Sequence, residues 1–292
     1  MASLLSIVEN VSLKLGLPVP TQIIGSTDIL TRQYLSLAHE TMINLKRRHD
    51  WPELQKEHTF DLADGVANYA LPADFERFIS RTHWSRADQW ENSFPISPQE
   101  WQWRKSGISE VTPWKHLRVK NAVDNQIFVH PTPDSGEAGD TLVFEYISSQ
   151  VIKPATWTQS TTYMPGSYTW YNGNVYFTAL GGTSGSTPPT GTGSSISDGG
   201  ITDWAYQSEP YLEFLKDTDE PILDDHIVEL GVQWRMMYQK GFQFQQYKDE
   251  YEMEVDSEAT SKSGSRILDM TGARPSFSIG PNNVPDGNFP GV

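Results

Sequence analysis

The sequence predicts an α+β protein. Its parts are a helical bundle (two N-terminal helices plus a long C-terminal helix), a small β domain, an inserted all-β module and an extended C-terminal tail. Three observations carry this reading. Apolar residues recur at helical spacing near both ends of the chain. From about Glu57 to Ser149, short β-branched and aromatic runs alternate with turn residues. A third stretch, Pro154 to Tyr206, holds nine aromatic side chains but no Lys, Arg or Glu.

The elements follow in order. Ser3 suits the N-cap of a first helix with apolar stripe Leu4, Ile7, Val8, Val11 and Leu15, stopped by Gly16 and Pro18. Ser26 or Thr27 caps a second, with stripe Leu30, Tyr34, Leu37, Ala38, Met42 and Leu45. Lys46, Arg47 and Arg48 complement the negative end of its dipole, and Pro52 ends it. The run His58 to Leu62, a turn at Asp64-Gly65, and Asn68 to Leu71 read as a hairpin. Further strands are expected at Phe78–Trp84, His116–Val119, Gln126–His130 and Thr141–Ile147. A short helix begins at Ser97 and Pro98.

The Gly/Ser/Thr/Pro tract Gly181 to Asp203 reads as a flexible loop within the aromatic module. A long helix then starts with Asp219 as N-cap and Pro221 in its first turn. Its stripe is Ile227, Leu230, Gly231, Trp234, Met237, Tyr238 and Gly241, continuing to Tyr247 and Tyr251, and it ends near Glu258. Thr271 to Val292 holds four Pro and four Gly, and reads as disordered or extended along a partner. The expected boundaries are 1–56 for the N-terminal helices, 57–153 for the β-rich domain, 154–208 for the module, 209–258 for the long helix and 259–292 for the tail.

Composition narrows the function classes. The 292 residues include 22 Lys plus Arg against 37 Asp plus Glu, a formal charge of −15, and no Cys. A disulfide framework and a cysteine zinc site are excluded. A basic grip on nucleic-acid backbone is disfavoured at this charge. Aromatics at 12% argue against disorder throughout. No run approaches the roughly 18–20 apolar residues of a membrane span. Met1 to Asn10 has no Lys or Arg before its apolar run and no cleavage site after it, so it reads as a helix of a cytosolically made protein and not as a signal peptide.

Chemistry-bearing motifs are sparse. The cluster Asp217, Asp219, Glu220, Asp224 and Asp225 lacks calcium-loop spacing, because Pro221 takes a ligand position and Val228 stands where a bidentate Glu belongs. Helix-capping charge is the better reading. The seven His show no zinc spacing, and no nucleophile elbow, P-loop or dinucleotide fingerprint occurs. No catalytic, metal or cofactor residue is assigned.

The module carries a more specific pattern: Trp157, then Tyr163-x-x-Gly166, then Tyr168-x-Trp170-Tyr171-Asn172-Gly173-x-Val175-Tyr176, and later Trp204. It resembles the small chitin- and cellulose-binding modules, with Trp170 in place of their usual aliphatic residue. That resemblance makes Trp157, Tyr168, Trp170, Tyr171, Tyr176 and Trp204 candidates for stacking on sugar rings. In so small a domain, several must instead form the core.

The flanks carry a wider resemblance. Tyr69-Ala-Leu-Pro-Ala-Asp-Phe75, Trp84, Ser97-Pro-Gln-Glu-Trp101, Pro131-Thr-Pro133, Phe144-Glu-Tyr146, Asp217-Thr-Asp-Glu-Pro221 and Leu230-Gly-Val-Gln-Trp-Arg235 occur in order. With the paired N-terminal helices, they resemble the head-to-tail adaptor (connector) proteins of short-tailed bacteriophages, the gp4-like or tail-tubular-A-like family. The resemblance implies a twelve-subunit homo-oligomeric ring in the virion neck, assembled in the host cytoplasm. The phage portal protein lies above it, a tail nozzle or tail tubular protein below, and DNA passes through as cargo. Ile227, Leu230, Trp234, Met237 and Tyr238 are the expected ring-packing residues. Phe277, Ile279, Val284 and Phe289 of the tail are the expected portal-docking ones. Residues 209–258 hold fourteen acidic and four basic side chains, so a channel lined by them repels phosphate. The alternative is a carbohydrate-binding protein contacting host-surface glycans, alone or in addition to the adaptor role. An enzyme, the third class, has no supporting constellation.

Overall fold

A computed structural model describes residues 2–92, 97–106, 115–121, 125–208 and 211–262. The protein is mixed α+β, with five α-helices and several small sheets among the described residues. It divides into two compact units, one built from Met1–Leu54 with Ser149–Gly264, the other containing Gln55–Ser148.

In the first unit, α1 (Leu4–Leu15) begins at Ser3, whose hydroxyl accepts the Ser6 amide hydrogen bond at 3.3 Å. It ends at Gly16, whose φ of 64° lets its N–H reach back to Leu13 and Ser12. Leu4, Ile7, Val8 and Val11 are fully buried. Helix α2 (Ile29–Arg48) is capped by Asp28 and not by Ser26 or Thr27. Its carboxylate accepts from the Thr31 amide at 3.0 Å, and a charged acceptor is the stronger cap. The helix stops at Arg48, ahead of Pro52, which opens a 3-10 turn (Pro52–Leu54). The Trp51 indole donates to the Leu45 carbonyl at 2.7 Å, satisfying one of the acceptors a helix end leaves open.

The expected long helix is two helices, α4 (Asp225–Lys240) and α5 (Gln245–Lys262). Gly241, at φ 74°, caps the first with bonds to the Met237 and Tyr238 carbonyls. The glycine counted in the stripe of one long helix is therefore the break. The N-cap also moves: Asp224, not Asp219, accepts from the first amides. Pro221 lies in a short strand instead of a first helical turn. Helix α4 packs against α1, α2 and α5. Having neighbours on several sides buries Val228, Val232, Gln233, Arg235 and Met236 in addition to the single stripe read from periodicity. Helix α5 buries only Tyr251, Val255 and Ala259, a narrow seam spaced four residues apart.

The second unit has two antiparallel sheets. Strand β7 (Thr141–Ser148) is central to the first, pairing β1 (Gln55–Asp61) along seven residues, and β3 (Phe75–Phe78) and β4 (Trp84–Ser85) elsewhere. The second has the order β2 (Asn68–Ala70), β6 (Gln126–His130), β5 (His116–Asn121). The hairpin expected between β1 and β2 does not form. The turn at Asp64-Gly65 exists, with Gly65 at φ 73°, but it passes the chain from one sheet to the other. The longer pairing with β7 supplies more ladder bonds than a three-residue β2 offers. The run Phe78–Trp84 is likewise no strand: it turns between β3 and β4. Leu62, Leu117, Ile127, Val129, Leu142 and Phe144 form the core. Helix α3 (Pro98–Ser106) starts where expected, with Ser97 accepting from the Glu100 amide at 3.1 Å.

Back in the first unit, β8 (Ile152–Lys153) pairs β14 (Glu220–Pro221). Between them in sequence lie a three-stranded sheet, β10 (Ser167–Tyr171), β11 (Asn174–Thr178) and β13 (Ala205–Ser208), and a pair, β9 (Thr162–Tyr163) with β12 (Gly182–Thr183). Tyr176, Ile201 and Trp204 form a core of their own, with Trp157, Tyr163, Tyr171, Ile196 and Tyr206 packed on it.

Candidate functional site

The aromatic module is organised by its only two acidic residues. Asp198 is fully buried. Its Oδ1 accepts from the amides of Gly185 (3.0 Å), Gly200 (2.9 Å) and Ile201 (2.7 Å), and its Oδ2 from the indoles of Trp157 (3.2 Å) and Trp204 (2.9 Å). Burial pushes this carboxyl up. The five donors outweigh burial and hold it below the ordinary aspartate value. Asp203 accepts from Thr178 Oγ1 and from the amides of Ala179 and Leu180. The Gly-rich tract is thus folded onto a carboxylate. A Cβ at Gly185 would strike the Asp198 carbonyl, and one at Gly200 the Thr183 carbonyl. These glycines serve close backbone approach.

The six stacking candidates divide accordingly. Trp204 and Tyr176 are buried, and the Tyr176 hydroxyl donates to the Gly191 carbonyl. Trp157 and Tyr171 are half-buried in an edge-on pair at 6.3 Å. Trp170 is half-buried, with the Lys153 ammonium 4.1 Å from its ring centroid. Tyr168 is half-buried between Phe177 at 5.0 Å and Tyr211 at 6.5 Å, with Lys216 Nζ 4.5 Å above its ring. Tyr168 lines a cleft, about 440 Å³ in volume, with Gln207, Tyr211, Leu215, Lys216 and Asp219. Spacing gave no signal for the other five. Asp219 looked like a helix cap; instead its Oδ2 accepts from the amides of Leu215 and Lys216, both at 2.8 Å.

A second surface lies at the α4–α5 elbow. Of the ring-packing candidates, Ile227 and Leu230 are buried within the chain, Trp234 and Met237 are half-buried, and Tyr238 is 61% exposed. The elbow adds Phe242, 49% exposed, and Phe244, whose ring lies 5.0 Å from Tyr238 and 6.4 Å from Trp234. Arg235, itself buried, sits 4.5 Å from the Trp234 ring and 5.6 Å from Tyr251, and donates to the Gly231 carbonyl. Lys240 donates to Gln33, which sets the elbow beside the start of α2, where Ile29 is 76% exposed. Phe277, Ile279, Val284 and Phe289 lie outside the described residues.

The four aspartates of the acidic cluster are spent on backbone, and Glu220 pairs with Lys153 at 3.3 Å. Asp217 accepts from the Ile23 and Ile24 amides and Asp225 from Ala2. Among the described residues, no group of three or more His, Asp or Glu is placed to hold a metal ion, and no helix is long and apolar enough to cross a membrane.

The elbow thus leaves aromatic surface exposed, while most carboxylates between residues 217 and 225 are engaged with backbone amides. The family model described as SU10 adaptor protein matches residues 2–180, well over half of the chain. The chain belongs to the SU10 adaptor protein family, and is a phage adaptor-type structural protein. A comparison with curated proteins finds no match. The matched stretch continues through β11, so it takes in the first half of the aromatic module.

Proposed function

We propose that the protein is a head-to-tail adaptor that assembles into a ring, joins the portal to the tail nozzle and lets DNA pass. The observation that carries this reading is the match to the adaptor family along residues 2–180. The elbow supports it: Tyr238 and Phe242 expose aromatic surface that a monomer gains nothing by showing to water. A closed ring needs a head-to-tail contact between two different patches, and the elbow is one such patch. Acidic residues of α5 such as Asp249, Glu250 and Glu254 are exposed, as a phosphate-repelling channel wall requires. The tail from residue 271 onward is the proposed portal-docking element, and the role is structural, without turnover. Negative-stain imaging of the purified protein with and without portal tests the reading. Rings on portal are expected; a protein that stays monomeric beside portal refutes it. Deleting residues 271–292 should leave a folded protein that no longer joins portals.

A second reading, contact with host glycans, keeps its support in the module's aromatic pattern. Burial removes Trp204 and Tyr176 as stacking surfaces and leaves the half-buried Trp157, Tyr168, Trp170 and Tyr171. Loss of glycan binding in a folded Trp170→Ala protein would favour it.

A further inference from the structure

The cleft beside the aromatic module has the features of a built site. Tyr168 and Tyr211 form two walls, their rings at 79° to each other. Leu215 lines it too and is 56% exposed. Asp219 lines it while only 1% exposed. The loop amides of Leu215 and Lys216 hold its Oδ2, so the carboxyl cannot turn away. Its Oδ1 is buried and has no hydrogen-bond partner among the described residues. A buried polar atom left unsatisfied costs stability and is retained where something else meets it. The volume, about 440 Å³, lies within the usual range for small-ligand sites.

The charges around the cleft select the ligand. Lys216 is occupied already: Nζ donates to the Gly166 carbonyl at 3.1 Å and lies over the Tyr168 ring. Burial pushes Asp219 up, toward its neutral form, and pushes Tyr211 up as well. A charged ligand would enter a site with one carboxyl and one ammonium, neither free to neutralise it fully, and would lose its hydration. A hydroxyl group donates to a carboxylate and accepts from a carboxylic acid, so it satisfies Oδ1 in either state. The tyrosine walls ask for a body with apolar C–H faces, and Gln207 offers an amide for a second hydroxyl.

We propose that this cleft binds one ring of a neutral sugar, its C–H face against Tyr211 and the edge of Tyr168 and a hydroxyl directed at the Asp219 carboxyl. The proposal rests on the second reading above and not on the adaptor role, and it moves the sugar from the Trp170 face to residues on both sides of the module's end.

The test is ligand-detected NMR and calorimetry on the full chain with methyl β-glucoside and N-acetylglucosamine, and with glucosamine and glucuronate as charged counterparts. Binding of at least one neutral sugar in the millimolar range is expected, about tenfold tighter than either charged one. Tyr168→Ala and the exposed Gln207→Ala should each weaken it at least about threefold with the fold unchanged, and Asp219→Asn should do the same if it folds. Three results overturn the proposal: no neutral sugar binds, the charged sugars bind as well, or Tyr168→Ala and Gln207→Ala leave affinity unchanged. Binding lost in Trp170→Ala but kept in the cleft variants also overturns it, while leaving the glycan reading standing.

Discussion

Asp198→Asn isolates what holds the aromatic module together. The wild-type carboxylate accepts five hydrogen bonds, three on Oδ1 and two on Oδ2. An asparagine has one acceptor oxygen. If that oxygen keeps the amides of Gly185, Gly200 and Ile201, the NH2 group faces the indoles of Trp157 and Trp204, donor against donor. If it flips, three backbone donors are orphaned instead. The cheaper arrangement leaves two donors unmet, at about 1–3 kcal/mol each, so after some relaxation the cost should be about 2–5 kcal/mol. The charge-assisted character of the surviving bonds is lost as well. Tryptophan fluorescence during urea unfolding reads this directly, because two of the donors are indoles. The carboxyl is held below its ordinary value, so the stability it confers is fully present above about pH 4 and is lost as pH falls through the lower folded-state value. The gap between wild type and variant should therefore close in strong acid. A destabilisation under about 0.5 kcal/mol at neutral pH would refute the idea that Asp198 organises the tract.

His83 is 1% exposed beside Phe78 and Phe144, and burial lowers it to about 4. The unfolded chain takes up a proton near the ordinary histidine value of about 6.5, so this contribution is present above that pH and is lost as pH falls toward 4. His83→Leu should flatten the decline of Tm between about pH 6.5 and 5, leaving a residual slope from His116, which is lowered to about 4 in the same way. An unchanged slope would count against the buried neutral state. Gly231→Ala tests packing against propensity: a helix interior alone predicts a gain of about 1 kcal/mol. The new Cβ, however, would meet Thr41 Cγ2, whose rotamer is pinned by a 2.7 Å bond from Oγ1 to the Leu37 carbonyl, and Tyr251 at 3.1 Å. A net loss of about 1–2 kcal/mol is expected by chemical denaturation, and a more stable variant would show that α4 and α2 are looser than described. Tyr238→Ser with Phe242→Ser should leave the monomer's Tm within about 1 °C while abolishing rings on portal; rings that persist would remove the elbow from the proposed subunit contact.

The sequence by itself determined the class and the main elements of this protein. Periodicity placed α1 and α2 to within a residue or two, because each has one buried face and a polar remainder. Strand β6 was legible from its alternation, and α3 from Ser97 and Pro98. The ordered motifs on the flanks pointed to an adaptor, which the family match on residues 2–180 supports at that level. Tertiary structure decided what depends on partners distant in sequence. Strand β1 precedes an apparent hairpin signal, yet β7, some eighty residues on, offers it the longer ladder. The stripe of α4 widened because three helices surround it, which no local pattern encodes. Gly241 could be a packing notch or a C-cap, and its positive φ settled the matter. The Gly-rich tract looks flexible because its composition is that of a linker, but three of its own amides and two flanking indoles bond to Asp198 and give it a fixed shape. The cleft was invisible for the same reason: Tyr168, Tyr211 and Asp219 meet only after the module returns the chain to β14, and hydrogen bonds to loop amides, not spacing, leave one carboxylate oxygen buried and without a hydrogen-bond partner among the described residues beside it.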